Sequence, residues 1–371
     1  MRLLPTQLFS SIGSHLAQLV PTLLTLLISF AGGALAAFAG LPAGWLMGGA
    51  LAVSIAAMSG VKVRMPDRLR DVAFLLIGMS MGASVAPDTL NLLSSWPVSL
   101  AALVIELVLI VSLTGWMLAR VFKLDAGTAY LSSFPGHLSL VMGIASAGVG
   151  DARQIAIIQV IRIFMLTICV PIGAMFLPIA HFEPLMSSKT LSVGELLLLA
   201  AGCTAFGLVF VWRKIPAGFV LGSMAAATAA KLGGLYDAAM PEPLVITTFV
   251  LTGALIGSRF AGISRREFFH ASLGGLIATG MTVSIVTLVA WLVGMVIGMP
   301  YGQIWLALAP GALEGMGALG IALGYDTAFI AAHHVIRLLL LSFAIPGVVM
   351  LIRWRENATI AAHDKGEGRL P

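Results

Sequence analysis

One segment is written twice in this chain. "DARQIAIIQVIRIFMLTICVP" at 151–171 and "DTAFIAAHHVIRLLLLSFAIP" at 326–346 share an opening aspartate, a central Val-Ile-Arg and a closing proline. The register holds elsewhere. "LPAGWLMGGALA" at 41–52 matches "IPAGFVLGSMAA" at 215–226, "GMSMG" at 78–82 matches "GALIG" at 253–257, and "PGHL" at 135–138 matches "PGAL" at 310–313, always at an offset of 174 to 175 residues. Duplication on this scale constrains the fold more than any single motif, because both halves must adopt the same helical plan. It divides the chain into a first repeat at 17–180, a second at 191–352 and a tail at 353–371.

Each copy contains six apolar runs. They lie at about 17–38, 41–59, 71–86, 95–120, 127–147 and 154–180, then at about 191–211, 215–231, 243–258, 269–298, 303–322 and 327–352. Charged residues make up only 10% of the chain, against about 25% in soluble domains. The interior of a soluble globule cannot absorb so much apolar surface, so the expected class is an all-α polytopic membrane protein in a bilayer. The N-terminal run ends like a signal peptide but is too long for an h-region, and reads as a first span. The net charge of +5 does not point to nucleic acid, because the basic residues cluster in short connections between apolar runs. Cys169 and Cys203 both lie within such runs and are expected as free thiols.

The placement of those basic residues predicts the topology. If all twelve runs cross, the loop, tail and N-terminal lysines and arginines divide thirteen to six. If the fifth run of each copy enters and leaves on one side, they divide seventeen to two, with only Lys189 and Lys231 outside. The second arrangement fits the positive-inside bias better. It predicts two inverted-topology repeats of about five spanning helices each, with both termini cytoplasmic. The non-crossing element is expected to be the one carrying Pro135-Gly136 or Pro310-Gly311. Proline removes a donor, glycine permits a turn, and broken backbone survives at membrane depth only under protein or beside a watery cavity. A bent helix that still crosses is the alternative.

Arg162 and Arg337 stand at equivalent positions, each far from the ends of its run. A charge at mid-bilayer costs about 2.5–3.5 kcal/mol on insertion scales. Bearing that cost twice argues for a shared role: tying down carbonyls at the broken segment, or contacting an anionic substrate. Gln159 and His334 lie three residues before them, on the same helical face. Helices restarting after Gly136 and Gly311 would present free N–H groups, with His137 and Ser139 as polar lining. Glu314 faces Ser139 across the duplication, and Glu106 faces Met281. Each acid is a candidate salt-bridge partner or coupling site. His333 and His334 are adjacent, about 100° apart on a helix, and no H-x-x-x-H or Cys-His cluster supports a metal. Gly78/Gly82 and Gly253/Gly257 are small-x-x-x-small packing faces, and Asp151 and Asp326 read as N-caps.

At these residues the chain resembles the AbrB family of duplicated bacterial inner-membrane proteins. The family pattern has a Pro-Gly-Gly opening followed by an acidic residue and methionine, then an aspartate, then H-x-x-R. The second copy carries Pro310, Gly311, Glu314, Met316, Asp326, His334 and Arg337. The first departs at His137, at Ser139-Leu140 where the acid is expected, and at Gln159. The resemblance spans about 20–355. It brings two labels, ammonia monooxygenase and regulator of gene expression. No copper-ligand cluster supports the first, and the second reads as an indirect effect.

The expected function is a secondary transporter, importing or exporting a small anionic or polar metabolite, driven by an ion gradient. No nucleotide-binding loop is present. No enzyme activity, cofactor or nucleic acid is expected, and small-residue faces make a homodimer an open option. The alternatives are a membrane protein acting indirectly on gene expression and a membrane oxygenase.

Overall fold

The computed structural model describes residues 5–41, 43–85, 96–136, 138–174, 190–215, 217–261 and 265–367. His137 lies outside them, and so does the side chain of Ser139. The described chain is helical, with no strand among its elements. The first seven helices are α1 (Pro5–Phe38), α2 (Gly44–Met58), α3 (Asp67–Ala83), α4 (Trp96–Arg120), α5 (Ala126–Ser133), α6 (Leu138–Ser146) and α7 (Ala152–Ala174). The next seven are α8 (Val193–Trp212), α9 (Gly218–Leu232), α10 (Glu242–Ser258), α11 (Arg265–Ile297), α12 (Tyr301–Leu308), α13 (Leu313–Ala322) and α14 (Thr327–Glu367). The element order of the first set returns in the second, including the short pair interrupted at Pro-Gly.

Among the described residues, five segments are long and apolar enough to cross a membrane: Leu19–Phe38, Trp96–Arg120, Val193–Trp212, Leu273–Ile297 and Thr327–Trp354. Their outer faces carry exposed Leu35, Leu198, Trp212, Val296 and Phe343, as lipid-facing helices require. Shorter apolar helices, Gly44–Met58, Gly218–Leu232, Glu242–Ser258 and Leu313–Ala322, pack against them.

The helices fall into two groups. α1, α2 and α3 interlock with α8, α9 and α10: α2 packs on α10, and α3 on α9. The glycine faces seat these pairs. A Cβ on Gly253 would meet the Leu46 carbonyl at 2.8 Å, and one on Gly257 would meet Val53 Cβ at 2.6 Å. Gly78 abuts Val220 and Ser223, and Gly82 abuts Met224 and Ala227. Backbones this close leave room for no side chain. In both seams residue numbers rise together, so α2 runs parallel to α10 and α3 parallel to α9.

The second group contains α4 to α7 and α11 to α14. α7 packs on α11, α12 on α14, and α4 on both α11 and α14. The groups meet through α13 against α3 and α10, and through α7 against α2. Thr327 Oγ1 donates to the Met81 carbonyl at 2.7 Å across this join.

Asp151 and Asp326 start α7 and α14 as N-caps. Asp151 Oδ1 accepts from the Arg153 and Gln154 amides, and Asp326 Oδ1 from those of Ala328 and Phe329. The tail continues helically to Glu367.

Candidate functional site

A helix end leaves its last four carbonyls without intrahelical donors. At the surface water fills the gap. At the broken segments of this protein, side chains from the following long helix fill it. α12 ends at Leu308, and the chain turns away through Ala309 and Pro310. His334 Nε2 lies 3.1 Å from the Leu306 carbonyl. Arg337 Nη2 donates to Ala307 at 2.9 Å and to Leu308 at 2.5 Å, and its Nη1 donates to Ala309 at 2.6 Å. Four consecutive carbonyls are thus met by two side chains one turn apart. The arrangement also fixes the histidine tautomer. A carbonyl only accepts, so Nε2 carries the hydrogen and Nδ1 faces Arg337 Nη1 at 3.4 Å as an acceptor.

The first copy does the same with different chemistry. Gln159 stands where His334 does, and its Nε2 donates to Leu131 at 3.1 Å and Phe134 at 3.0 Å. Arg162 Nη1 donates to Phe134 at 2.8 Å, and its Nη2 donates to Gln159 Oε1. Leu131 is the repeat mate of Leu306. The replacement of histidine by glutamine therefore keeps a donor on the same carbonyl.

Both arginines are buried, at 6% and 2% exposure. They lie within electrostatic reach of each other, and Leu341 of α14 lies beside Gly136 at the first break. Each leaves its Nε without a partner. Their terminal nitrogens are engaged with backbone carbonyls or with the neighbouring His334 or Gln159.

Past the break, the two copies differ. Gly136 has φ of +122°, a left-handed conformation that favours glycine. Gly311 is not in that region; a Cβ there would run into Met316. α13 starts at Leu313 after an extended Ala312 that provides no side-chain cap. Its first turn carries Glu314, 6% exposed, paired with Arg259 at 2.5 Å. The glutamate's partner is therefore the arginine at the end of α10. In the first copy both equivalent positions are serine, Ser84 and Ser139. Both members of the pair thus depart from the repeat together, and that joint departure was a readable signal for Arg259.

A cavity of about 30 Å³ opens at the start of α13, lined by Gly311, Ala312 and Gly315 with Ile256 of α10, Leu46 of α2 and Ile163 of α7. It lies between the repeats and has room for one or two waters. A metabolite site needs roughly 300 Å³ or more, so this cavity is too small to hold one as it stands. α13 is buried along nearly its whole length, whereas α6 buries Val141 and Ala145 and leaves Gly143 open.

The remaining candidates are dispersed. Glu106 is fully buried on α4, within electrostatic reach of Arg337. His333 turns away from His334, contacting the Phe329 carbonyl and Ser99 Oγ, both at 2.8 Å. Pro135 and Pro310 both sit at the breaks. Cys203 is free and buried; the side chain of Cys169 lies outside the described residues.

Residues 45–353 match the family described as "Transition state regulatory protein AbrB". Two curated proteins are similar over most of their length. One is "Uncharacterized protein YhjN" of Bacillus subtilis (strain 168), 25% identical over 357 residues, covering 88% of this chain and 91% of the relative. The other is "Putative regulator AbrB" of Escherichia coli (strain K12), 26% identical over 329 residues, covering 84% and 90%. The family match takes in both broken segments and both arginines, and the chain belongs to the AbrB family.

Proposed function

We propose that this protein is a secondary transporter that moves a small anionic or polar metabolite across the bacterial inner membrane, using an ion gradient. The observation that carries the reading is the pair of helices interrupted inside the fold, with a cavity between the repeats at the uncapped start of α13. Uncapped helix N-termini attract anions, and interrupted helices at a repeat interface are how many secondary transporters hold their solutes.

The direction of the helices supports inverted repeats. Counting the broken pair α5–α6 as one element, six elements lie between α2 and α10, and if all six crossed those two helices would run antiparallel. They run parallel, as do α3 and α9, which requires an odd number of non-crossing elements between them. The broken pair α5–α6 is the natural one. Five crossings per repeat then turn the second copy upside down relative to the first, with both termini on the cytoplasmic side.

On this reading Arg162, Arg337, Gln159 and His334 hold the broken ends in place. The groups left to meet a solute are the amides after Gly311, beside the Arg259–Glu314 pair, and, from the sequence of the first copy, His137 and Ser139 after Gly136. The unequal burial of α6 and α13 supports alternating access: one repeat's break is sealed while the other is less covered. The regulator name of the Escherichia coli relative fits the same picture if a transported metabolite alters expression indirectly. The exposed faces of the membrane helices are apolar, unlike the basic surface that nucleic acid needs.

The test is solute movement. Liposomes carrying the purified protein, loaded with a mixed pool of small carboxylates, phosphate esters and amino acids, would be assayed by mass spectrometry for release under an imposed ion gradient. Release of one class, lost in Arg259→Ala and Glu314→Gln, supports transport. Retention of every solute under proton and sodium gradients of both directions contradicts it.

A further inference from the structure

Glu106 plays no part in holding the breaks, yet it is fully buried and neither carboxylate oxygen has a hydrogen-bond partner. It lies on α4 four residues before a π-helical turn, Ile110–Thr114. Such turns interrupt the regular ladder and recur at functional sites. Thr114 Oγ1, within that turn, is also buried without a partner.

The groups around it come from the helices packed on α4, namely α5, α11, α12 and α14; α5 brings Tyr130, whose ring lies against Gly115 just past the π-helical turn. α14 brings Arg337, within electrostatic reach, but its terminal nitrogens are directed at the carbonyls of Ala307 to Ala309 and at His334. α14 also brings His333, held by Phe329 and by Ser99 of α4, and His334, turned to Leu306. Between Leu273 and Ile297, α11 has no ionisable side chain. α12 contributes Tyr301, whose hydroxyl donates to the Thr287 carbonyl.

An ionised carboxylate here would have lost its water and gained no donor, which is costly at membrane depth. The neutral acid is the form this packing accommodates. The nearby fixed cation makes the ionised form attainable once water enters. We propose that Glu106 is a proton-binding site. In the closed arrangement its carboxyl holds a proton on one oxygen; when the contact of α4 with α14 opens to water, that O–H bond breaks and the proton leaves as hydronium. Met281 occupies the equivalent position of the second copy, so the duplication supplies one such carboxyl. The role of this proton as coupling ion rests on the transport reading; the titration itself does not.

Infrared difference spectroscopy of the full chain in lipid vesicles tests it without a solute. The expected result is a protonated-carboxyl stretching band that disappears reversibly as pH rises, shifts on ¹³C-labelling of glutamate, and is absent from Glu106→Gln. If that variant fails to fold, Glu106→Asp serves instead, its band at this position no longer shifting on ¹³C-labelling of glutamate. Vesicles adsorbed to a sensor electrode should also show a charge displacement on a pH step, reduced at least tenfold in Glu106→Gln. A glutamate band that persists unchanged over the whole pH range of folded protein would overturn the proposal, as would no such band at all. If Glu106 titrates while no solute moves, the transport reading falls and the proton site stands. If solute moves while Glu106 is silent, another ion drives it.

Discussion

Replacing Arg337 by methionine removes the donor from three carbonyls at once, while a flexible apolar chain of similar length keeps the space filled. A hydrogen bond from a charged group contributes about 1.5–3 kcal/mol, so three amount to roughly 4.5–9 kcal/mol. Methionine also relieves the burial of a cation, about 2.5–3.5 kcal/mol on insertion scales. The difference is a loss on the order of 4 kcal/mol, within the range for breaking buried charge contacts. Arg162→Met should cost less. That arginine covers one carbonyl and the Gln159 side chain, and Gln159 keeps its own bonds to Leu131 and Phe134. Two lost bonds set against the same relief leave on the order of 1 kcal/mol. The assay is unfolding of the purified protein in mixed micelles with increasing dodecyl sulfate, followed by far-ultraviolet circular dichroism. Equal losses in the two variants, or no loss in Arg337→Met, would refute the idea that the arginines serve chiefly as caps for broken helices.

Three further outcomes follow from the same geometry. His334→Gln should be tolerated, because Gln159 already does that work in the first copy, whereas His334→Leu strands the Leu306 carbonyl and should cost about 1–3 kcal/mol in the same titration. Gly82→Ala should destabilise by about 1–3 kcal/mol, because its Cβ would lie 2.5 Å from the Met224 carbonyl; Gly143→Ala, with nothing within 4 Å, should not. A cysteine pair at Gly317 and Met81, which touch here, should cross-link in the resting protein. Its repeat-related pair at Met142 and Ile256 should cross-link only when the transport cycle runs, and equal cross-linking of both pairs at rest would count against alternation.

Much of the plan was legible because the sequence states it twice. Matching prolines, glycines and arginines located the breaks, and the three-residue spacing of His334 and Arg337 placed both side chains on one face. The glycine pairs announced the close seams, although not that each seam joins one repeat to the other. The destination of the arginine donors was less visible, since a carbonyl has no signature in a sequence. Whether Arg337 met carbonyls or a solute depended on the orientation of α12, a tertiary property. The partner of Glu314 was hidden for a related reason: Arg259 looks like one more loop cation under the positive-inside pattern. Only its joint absence with the glutamate from the first copy marks the two as a pair. The isolation of Glu106 was out of reach, because it is a statement about what does not approach.

Side-specific labelling of loop cysteines tests inverted topology most directly. In a background with Cys169 and Cys203 replaced, single cysteines would be placed at Ala147, Leu235 and Ala322, all exposed here, and treated with an impermeant maleimide from outside the cell. The inverted arrangement predicts protection at Ala147 and labelling at Leu235 and Ala322. Labelling at Ala147 with protection at Leu235 would mean that the Pro-Gly segment of the first copy crosses the membrane, and would contradict inverted repeats and the shared central site built on them.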